Sequence, residues 1–131
     1  MLMKTTLLWL IVVPVVTFAQ MTPGWAQSSG EGKKLYVANC SSCHGDTGKG
    51  DGIAGRALPA KPADHTNGAF MNALSDKWLF DMISKGGGAV GKSNFMPGWG
   101  GALNEMQIQD IVAYIRSIAV PPYQAGPAAG K

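Results

Sequence analysis

The run Cys40-Ser41-Ser42-Cys43-His44 constrains this chain more than any other feature, because its two cysteines are the only ones among 131 residues. The spacing C-x-x-C-H is typical of sites where haem is attached covalently through two cysteine sulfurs. Cys40 and Cys43 belong to one stripe at the helical period, so both thiols can face one side and reach two vinyl groups of one macrocycle. His44 follows directly and can bind the iron through a ring nitrogen. The sequence therefore predicts one covalent haem, with His44 as an axial ligand.

Three other uses of the two cysteines are compatible with the sequence. A redox-active disulfide of thioredoxin type needs a βαβ context, and the sequence predicts no strand. A structural zinc site needs four ligands and would take both cysteines and both histidines of the chain, with His65 as the fourth. A plain disulfide between Cys40 and Cys43 is the third, because an exported protein meets oxidising conditions. Haem attachment is favoured because the motif and its context agree.

Met96 is the predicted ligand on the opposite face of the iron. It lies in a loop far along the chain from His44, and Pro97 after it restricts the backbone. Met/His ligation raises the reduction potential relative to ligation by two histidines. His65 is the alternative sixth ligand, which would give bis-histidine iron. The methionines that fall in or beside helical segments are expected to fill the core instead: Met71, Met82 and Met106.

Residues 1–26 are predicted to be a secretory signal rather than part of the fold. Lys4 precedes an apolar run from Leu7 to Val16, and small residues give cleavage sites after Ala19 or after Ala26. An uncleaved anchor is the alternative, but a membrane-spanning helix needs about 20 apolar residues and this run is shorter. The expected arrangement is an exported, periplasmic protein with a domain over 27–120 and a flexible tail over 121–131.

Composition excludes several classes of protein. A length of 131 residues fits one compact domain. A formal net charge of +3, with 15% charged residues, is too small for a nucleic-acid binder that depends on electrostatics. The scattered basic side chains could still form a weak positive rim facing an acidic partner: Lys33, Lys34, Lys49, Lys77, Lys85 and Lys92.

Three helices are predicted, and no strand. The first runs from Glu31 to Cys43, with Ser28 or Ser29 as its cap. The second begins after Ser75 and ends at Lys85, before three glycines. The last is capped by Asn104 with Gln107 as capping-box partner, and Pro121-Pro122 ends it. The fold class is therefore mainly α, with glycine-rich loops between the helices.

Taken together, these segments resemble the monohaem class I cytochrome c family over roughly residues 30–119. The resemblance is carried by the haem motif, the loop Gly45 to Gly52, Met96-Pro97-Gly98-Trp99 and Ala113-Tyr114-Ile115-Arg116. It implies a small fold of three main helices wrapped around one haem. It also implies that the first and last helices cross at Gly32, with Tyr36 near Tyr114. The segment Ala57 to Leu74 departs from the family pattern by its length.

The resemblance further implies the surroundings of the haem and the function. A proline carbonyl, from Pro59 or Pro62, is expected to accept a hydrogen bond from the axial histidine, and Trp99 is expected near the haem. The implied function is single-electron transfer between a redox donor and acceptor by a monomer that is not an enzyme, makes no nucleic-acid contact and meets a membrane only transiently or through an uncleaved signal. A haem-bearing subunit of a dehydrogenase or terminal oxidase is the alternative. An enzyme or gas sensor with an open sixth site is a third possibility.

Overall fold

A computed structural model describes residues 27–124 of the chain. The predicted signal and the end of the predicted tail lie outside these residues. The described part contains five helices: α1 (Ser29–Asn39), α2 (Ser41–His44), α3 (Gly68–Met71), α4 (Asp76–Lys85) and α5 (Glu105–Ile118). Two 3-10 turns (Gly55–Ala57 and Gly88–Val90) complete it, and the only β pairing within 27–124 is a single bridge between Asn67 and Val120. The mainly α class is confirmed, since α1, α4 and α5 are long and the other two helices are single turns.

The predicted first helix is broken at Cys40. Its backbone N–H still donates to Tyr36, but Cys40 has φ −116° and the helix restarts at Ser41. Two side chains take over carbonyls in the last turn of α1: Asn39 donates to Leu35 O at 2.8 Å and Ser41 donates to Val37 O at 2.8 Å. Such side-chain bonds compete with the backbone ladder and favour a break. The prediction of one continuous helix from Glu31 to Cys43 is therefore wrong at this point.

The predicted helix caps are confirmed. Ser28 accepts from the Glu31 N–H at the start of α1, and Ser75 accepts from the Trp78 N–H at the start of α4. At the start of α5, Asn104 and Gln107 form both bonds of a capping box, at 2.9 and 3.0 Å. Each bond satisfies a backbone donor that the first helical turn leaves free. These local interactions explain why sequence spacing located the helix starts so closely.

The core lies where α1, α4 and α5 meet. Helices α1 and α5 cross at Gly32, and the Tyr36 and Tyr114 rings contact edge to face with centroids 5.0 Å apart. Both expectations from the family resemblance are thus confirmed. The apolar stripe of α5 is formed by Ile108, Ile111, Val112 and Ile115. It faces inward against buried residues of the other elements: Tyr36, Met71, Leu79 and Ile83. The loops of the domain are arranged around this packed core.

Arg116 ties the middle of the chain to α5. Its guanidinium is buried and donates to Met71 O at 2.6 Å, to Leu74 O at 2.5 Å and to the Asp76 carboxylate at 2.8 Å. Tyr123 lies over the same guanidinium, 4.0 Å from its carbon to the ring centroid. The predicted flexible tail therefore begins with residues that contact the domain, and its remainder, residues 125–131, lies outside the described part.

No helix among residues 27–124 has the length and apolar character needed to cross a bilayer.

Candidate haem-binding site

A cavity of about 550 Å³ opens between α2, α4 and the long loops of the chain. This volume falls within the range of small-molecule and cofactor sites. Its walls are formed mainly by apolar and aromatic side chains, which include Leu58, Phe70, Met71, Leu74, Trp78, Leu79, Met82, Ile83, Phe95, Trp99, Ile111 and Ile115. Cys40, Cys43, His44 and Met96 line the same cavity, so the chain brings together the residues that the sequence singled out.

The two cysteines are free thiols on the cavity wall. Cys40 is buried at the junction of α1 and α2, and Cys43 is half-buried within α2. Burial raises the pKa of the Cys40 thiol to about 11, so this sulfur is protonated at neutral pH. Metal binding and disulfide exchange both use the thiolate, and no group of three or more metal-binding side chains occurs in residues 27–124. At neutral pH Cys40 is therefore in the thiol form rather than the thiolate form that disulfide exchange uses.

His44 ends α2 with its ring held by a backbone acceptor. Its Nδ1 lies 3.2 Å from the Ala63 carbonyl oxygen, and since a carbonyl only accepts, Nδ1 carries the proton. Burial lowers the pKa of His44 below its usual value, with the Ala63 bond acting in the opposite direction. The ring is thus neutral, with the Nε2 lone pair available to a metal. This arrangement of a histidine that donates from its second nitrogen is the usual one for a metal ligand.

The turn after His44 depends on glycine. Gly45 has φ +79°, a conformation that L side chains rarely adopt, and its N–H donates to Ser41 O at 2.7 Å. The chain then folds back, and the Gly50 N–H donates to His44 O at 2.8 Å. These two bonds connect the C-terminal end of α2 to the loop that follows it.

The expectation that a proline carbonyl orients His44 is wrong in the structure. The acceptor is the carbonyl of Ala63, directly after Pro62. Pro62 and Trp99 line the cavity, whereas Pro59 is exposed at a bend and does not line it. Because the acceptor is a backbone atom of a small residue, no side-chain pattern in the sequence could have identified it.

Met96 is half-buried at the cavity wall. Its carbonyl accepts from the Gly87 N–H at 2.9 Å and its N–H donates to Ser93 O at 3.2 Å, so the backbone beside it is anchored. Met71 and Met82 also line the cavity. Met71 is buried in the core, in agreement with its predicted packing role, whereas Met82 is only half-buried. Met106 is 50% exposed, so the prediction that it fills the core is wrong: its position on α5 faces solvent.

His65 lies beside His44 rather than across the cavity from it. The two rings stack with centroids 4.4 Å apart and an interplanar angle of 18°. Two histidines that bind one metal ion from opposite sides point their ring edges at it, and two rings stacked face to face cannot do so. His65 therefore fails as the alternative sixth ligand.

Sequence reasoning also missed the contacts that His65 makes inside the protein. It is buried, and a hydrogen bond of 2.9 Å joins its Nδ1 to the hydroxyl oxygen of Tyr36. Burial lowers the pKa of His65 to about 3, with the neighbouring His44 acting in the same direction. Burial also raises the pKa of Tyr36 far above its usual value. Both side chains are therefore neutral near pH 7, and the sequence signal was only that His65 is the second of two histidines.

The long segment from Ala57 to Leu74 forms one wall of the cavity. Its contributions include Leu58, Pro62, His65 and Phe70, and it carries α3 at its end. The departure from the family pattern is thus placed at the cavity itself.

The predicted positive rim is only partly at this site. Lys92 lines the cavity together with Lys61, which the sequence did not single out. Lys34 pairs with Glu31, while Lys77 and Lys85 pair with Asp81 on the exposed side of α4. The cavity lining includes no acidic side chain among the described residues.

Comparison with known proteins agrees with this site. The sequence model of the family described as cytochrome c oxidase, cbb3-type, subunit III matches residues 28–115. Cytochrome c6 of a Synechococcus strain is 34% identical over 115 residues, which cover 86% of this chain and 91% of that protein. The FixP subunit of the cbb3-type cytochrome c oxidase of Bradyrhizobium diazoefficiens is 28% identical over 111 residues. The chain spans about a third of the length of that subunit.

A solved structure shows the same fold. The c-type cytochrome KustC0563 superposes with a TM-score of 0.55 at 22% identity, over 67% of this chain and 96% of that one.

Proposed function

The chain belongs to the c-type cytochrome family as a monohaem class I member, and we propose from this premise that it works as a free carrier of single electrons between redox proteins. Haem electron transfer is the function that its relatives share with it, and one c-type haem is its cofactor. The observation that carries the proposal is the convergence of Cys40, Cys43, His44 and Met96 on one apolar cavity.

In this proposal Cys40 and Cys43 would hold the haem by thioethers, and His44 and Met96 would bind its iron. Support for His44 comes from its tautomer, since Nδ1 is engaged by Ala63 and Nε2 is left as a donor to iron. Support for Met96 comes from its position on the cavity wall, on a backbone anchored to Gly87. When bound, the haem supplies one-electron cycling between Fe(II) and Fe(III).

The remaining lining residues perform three tasks. The apolar wall excludes water, which limits the rearrangement that accompanies a change of charge on the iron. The Ala63 carbonyl holds the Nδ1 edge of the His44 ring. Lys61 and Lys92 line the cavity, and within residues 27–124 the lining includes no acidic side chain. Their positive charge at the opening of the cavity, its positive mouth, would favour docking of an acidic partner.

A permanent place in a larger complex is the second candidate. It is favoured by the match to the cbb3-type oxidase family and to the FixP subunit. The free carrier is preferred because this chain and cytochrome c6 cover most of each other's length. Export is part of the proposal and depends on the signal pattern in residues 1–26, with cleavage after Ala26 or Ala19; no catalytic role is proposed.

A redox titration combined with the absorption spectrum tests the function. The protein is matured together with the haem-attachment machinery, and covalent attachment is checked by acid-acetone extraction. We expect haem that stays with the polypeptide, a low-spin spectrum in both states and one reversible one-electron transition. A colourless mature protein would refute haem binding. A high-spin ferrous spectrum with carbon monoxide binding would indicate an open sixth site, and co-purification with a large complex from the native source would favour the subunit role.

A further inference from the structure

The segment from Ala63 to His65 contacts the His44 ring in two different ways. The Ala63 carbonyl accepts from Nδ1 at the edge of the ring, at 3.2 Å. The His65 ring covers one face of the same imidazole, with centroids 4.4 Å apart. A hydrogen bond at the ring edge restrains the position of Nδ1 but leaves the ring free to rock about that contact. A flat group stacked on the face opposes that rocking motion.

His65 is itself anchored on two sides. Its Nδ1 is joined to the Tyr36 hydroxyl at 2.9 Å, and its backbone N–H donates to Gly48 O at 2.7 Å. Tyr36 is fully buried and packs edge to face against Tyr114 of α5. The flat face presented to His44 is therefore connected through Tyr36 to the α1–α5 core.

We propose that His65 is a positioning residue for the iron ligand: it fixes the plane of the His44 imidazole by stacking on it, and Tyr36 holds His65 in register. An aliphatic side chain could fill the same space, but it would offer no flat face to the ring. The inference rests on the proposed function, since it takes His44 as the iron ligand. Groups that orient a metal-bound histidine act on the metal through it.

The test compares four variants of the haem-loaded protein. His65→Leu removes the flat face and the bond to Tyr36. Tyr36→Phe keeps the stack but leaves His65 Nδ1 without its partner. The double variant Tyr36→Phe with His65→Phe removes both polar groups together and keeps a flat ring, which avoids an unpaired buried polar atom. Ile108→Val, a buried change in α5 away from the cavity lining, is the control for general loosening of the core.

The readout is the spread of the hyperfine-shifted haem methyl signals in the NMR spectrum of the oxidised protein, because this spread follows the orientation of the axial imidazole plane. We expect the largest change in His65→Leu, smaller changes in Tyr36→Phe and in the double variant, because both keep a flat ring, and a wild-type spectrum in Ile108→Val. The reduction potential should follow the same order.

An unchanged methyl pattern in His65→Leu with haem attached would overturn the positioning role. If that variant fails to accumulate, Tyr36→Phe decides in its place, and an unchanged pattern there overturns the proposal. A changed pattern in Ile108→Val equal to that of the site variants would also overturn it, because the effect would then be a general one. Failure of the proposed function looks different: the wild-type protein itself would lack covalent haem or a His44–iron bond.

Discussion

Gly32 of α1 lies directly against the backbone of Asp110 in α5, so closely that a Cβ atom at Gly32 would stand 1.8 Å from the Asp110 carbonyl oxygen. The same Asp110 accepts the Ser28 N–H at 2.7 Å through its carboxylate, at the start of α1. One residue of α5 therefore contacts α1 both at its cap and at the crossing point. Any side chain at position 32 would have to push the two helices apart, because the opposing atom is backbone.

Gly32→Ala is therefore expected to destabilise the protein by about 3 kcal/mol, the upper end of the usual cost of overfilling a packed interior. The expected readout is a lower midpoint in chemical denaturation of the haem-loaded protein. Absorption spectra of Gly32→Ala and of its control Gly30→Ala, recorded without denaturant, would show whether the haem site itself is disturbed.

Gly30→Ala is the matched control, in the same helix and with the same added methyl group. Position 30 is exposed, and its Cβ would meet only the Ser28 hydroxyl, at an ordinary 3.7 Å. Alanine is the better helix former, so this variant should gain up to about 1 kcal/mol. Equal losses at positions 30 and 32 would contradict the close crossing.

Arg116→Met should cost about 2–4 kcal/mol in the free energy of unfolding, because it removes charged hydrogen bonds and leaves the Leu74 carbonyl without its donor. Arg116→Lys should recover only part of this, since one ammonium group cannot fill the planar fork of a guanidinium. Arg56→Met, on an exposed 3-10 turn, is the control and should stay within about 0.5 kcal/mol of wild type. A loss at Arg116 no larger than that at Arg56 would show that these bonds contribute little.

Met96→Ala should abolish the weak far-red absorption band that a sulfur–iron bond produces, while the haem stays covalently attached. The reduction potential should fall by on the order of 0.1 V, a modest part of the ~0.8 V range set by axial ligands. Met106→Ala is the control, since Met106 is half-exposed on α5 and does not line the cavity. Persistence of the band in Met96→Ala would require another sixth ligand.

Protonation of Asp64 at low pH should lower the free energy of unfolding of the protein. Its carboxylate accepts the Thr66 hydroxyl at 2.6 Å and the Thr66 N–H at 2.9 Å, and these bonds, the hydroxyl first, hold the pKa of Asp64 below its usual value. A depressed carboxyl pKa gives stability that is complete above the unfolded-state value, near pH 4, and is lost as the pH falls through the folded-state value.

Asp64→Asn should therefore lower the denaturation midpoint at pH 7, and its difference from wild type should shrink near pH 3. Asp46→Asn, at an exposed loop position, serves as the control for the loss of one surface carboxylate. A gap for Asp64→Asn that stays constant between pH 7 and pH 3 would contradict this role.

The positive mouth of the cavity should speed reaction with anionic oxidants. Replacing both Lys61 and Lys92 by Gln should slow oxidation by ferricyanide several-fold at low ionic strength, and the difference should disappear at about 1 M salt, where charges are screened beyond about 3 Å. Replacement of Lys34 and Lys77, which are paired with Glu31 and Asp81, provides the control. Equal effects of the two pairs would show that net charge alone matters.

Local chemistry explains why much of this fold could be predicted. Ser75, Asn104 and Gln107 satisfy the first backbone donors of α4 and α5, and each acts on neighbours three residues away. The break at Cys40 escaped prediction because it depends on how Asn39 and Ser41 compete for carbonyls, which periodicity does not register.

Within the site, the sequence by itself located the candidate groups: two thiols and a histidine in one short run, and a methionine before a proline. Only the tertiary structure decided how they are used, by bringing Ala63 to His44 and setting His65 against its face. The physical reason is range. Caps and motif spacings act through neighbours along the chain, whereas a backbone carbonyl or a stacked ring acts through space, and its position follows from the packing of α1 against α5.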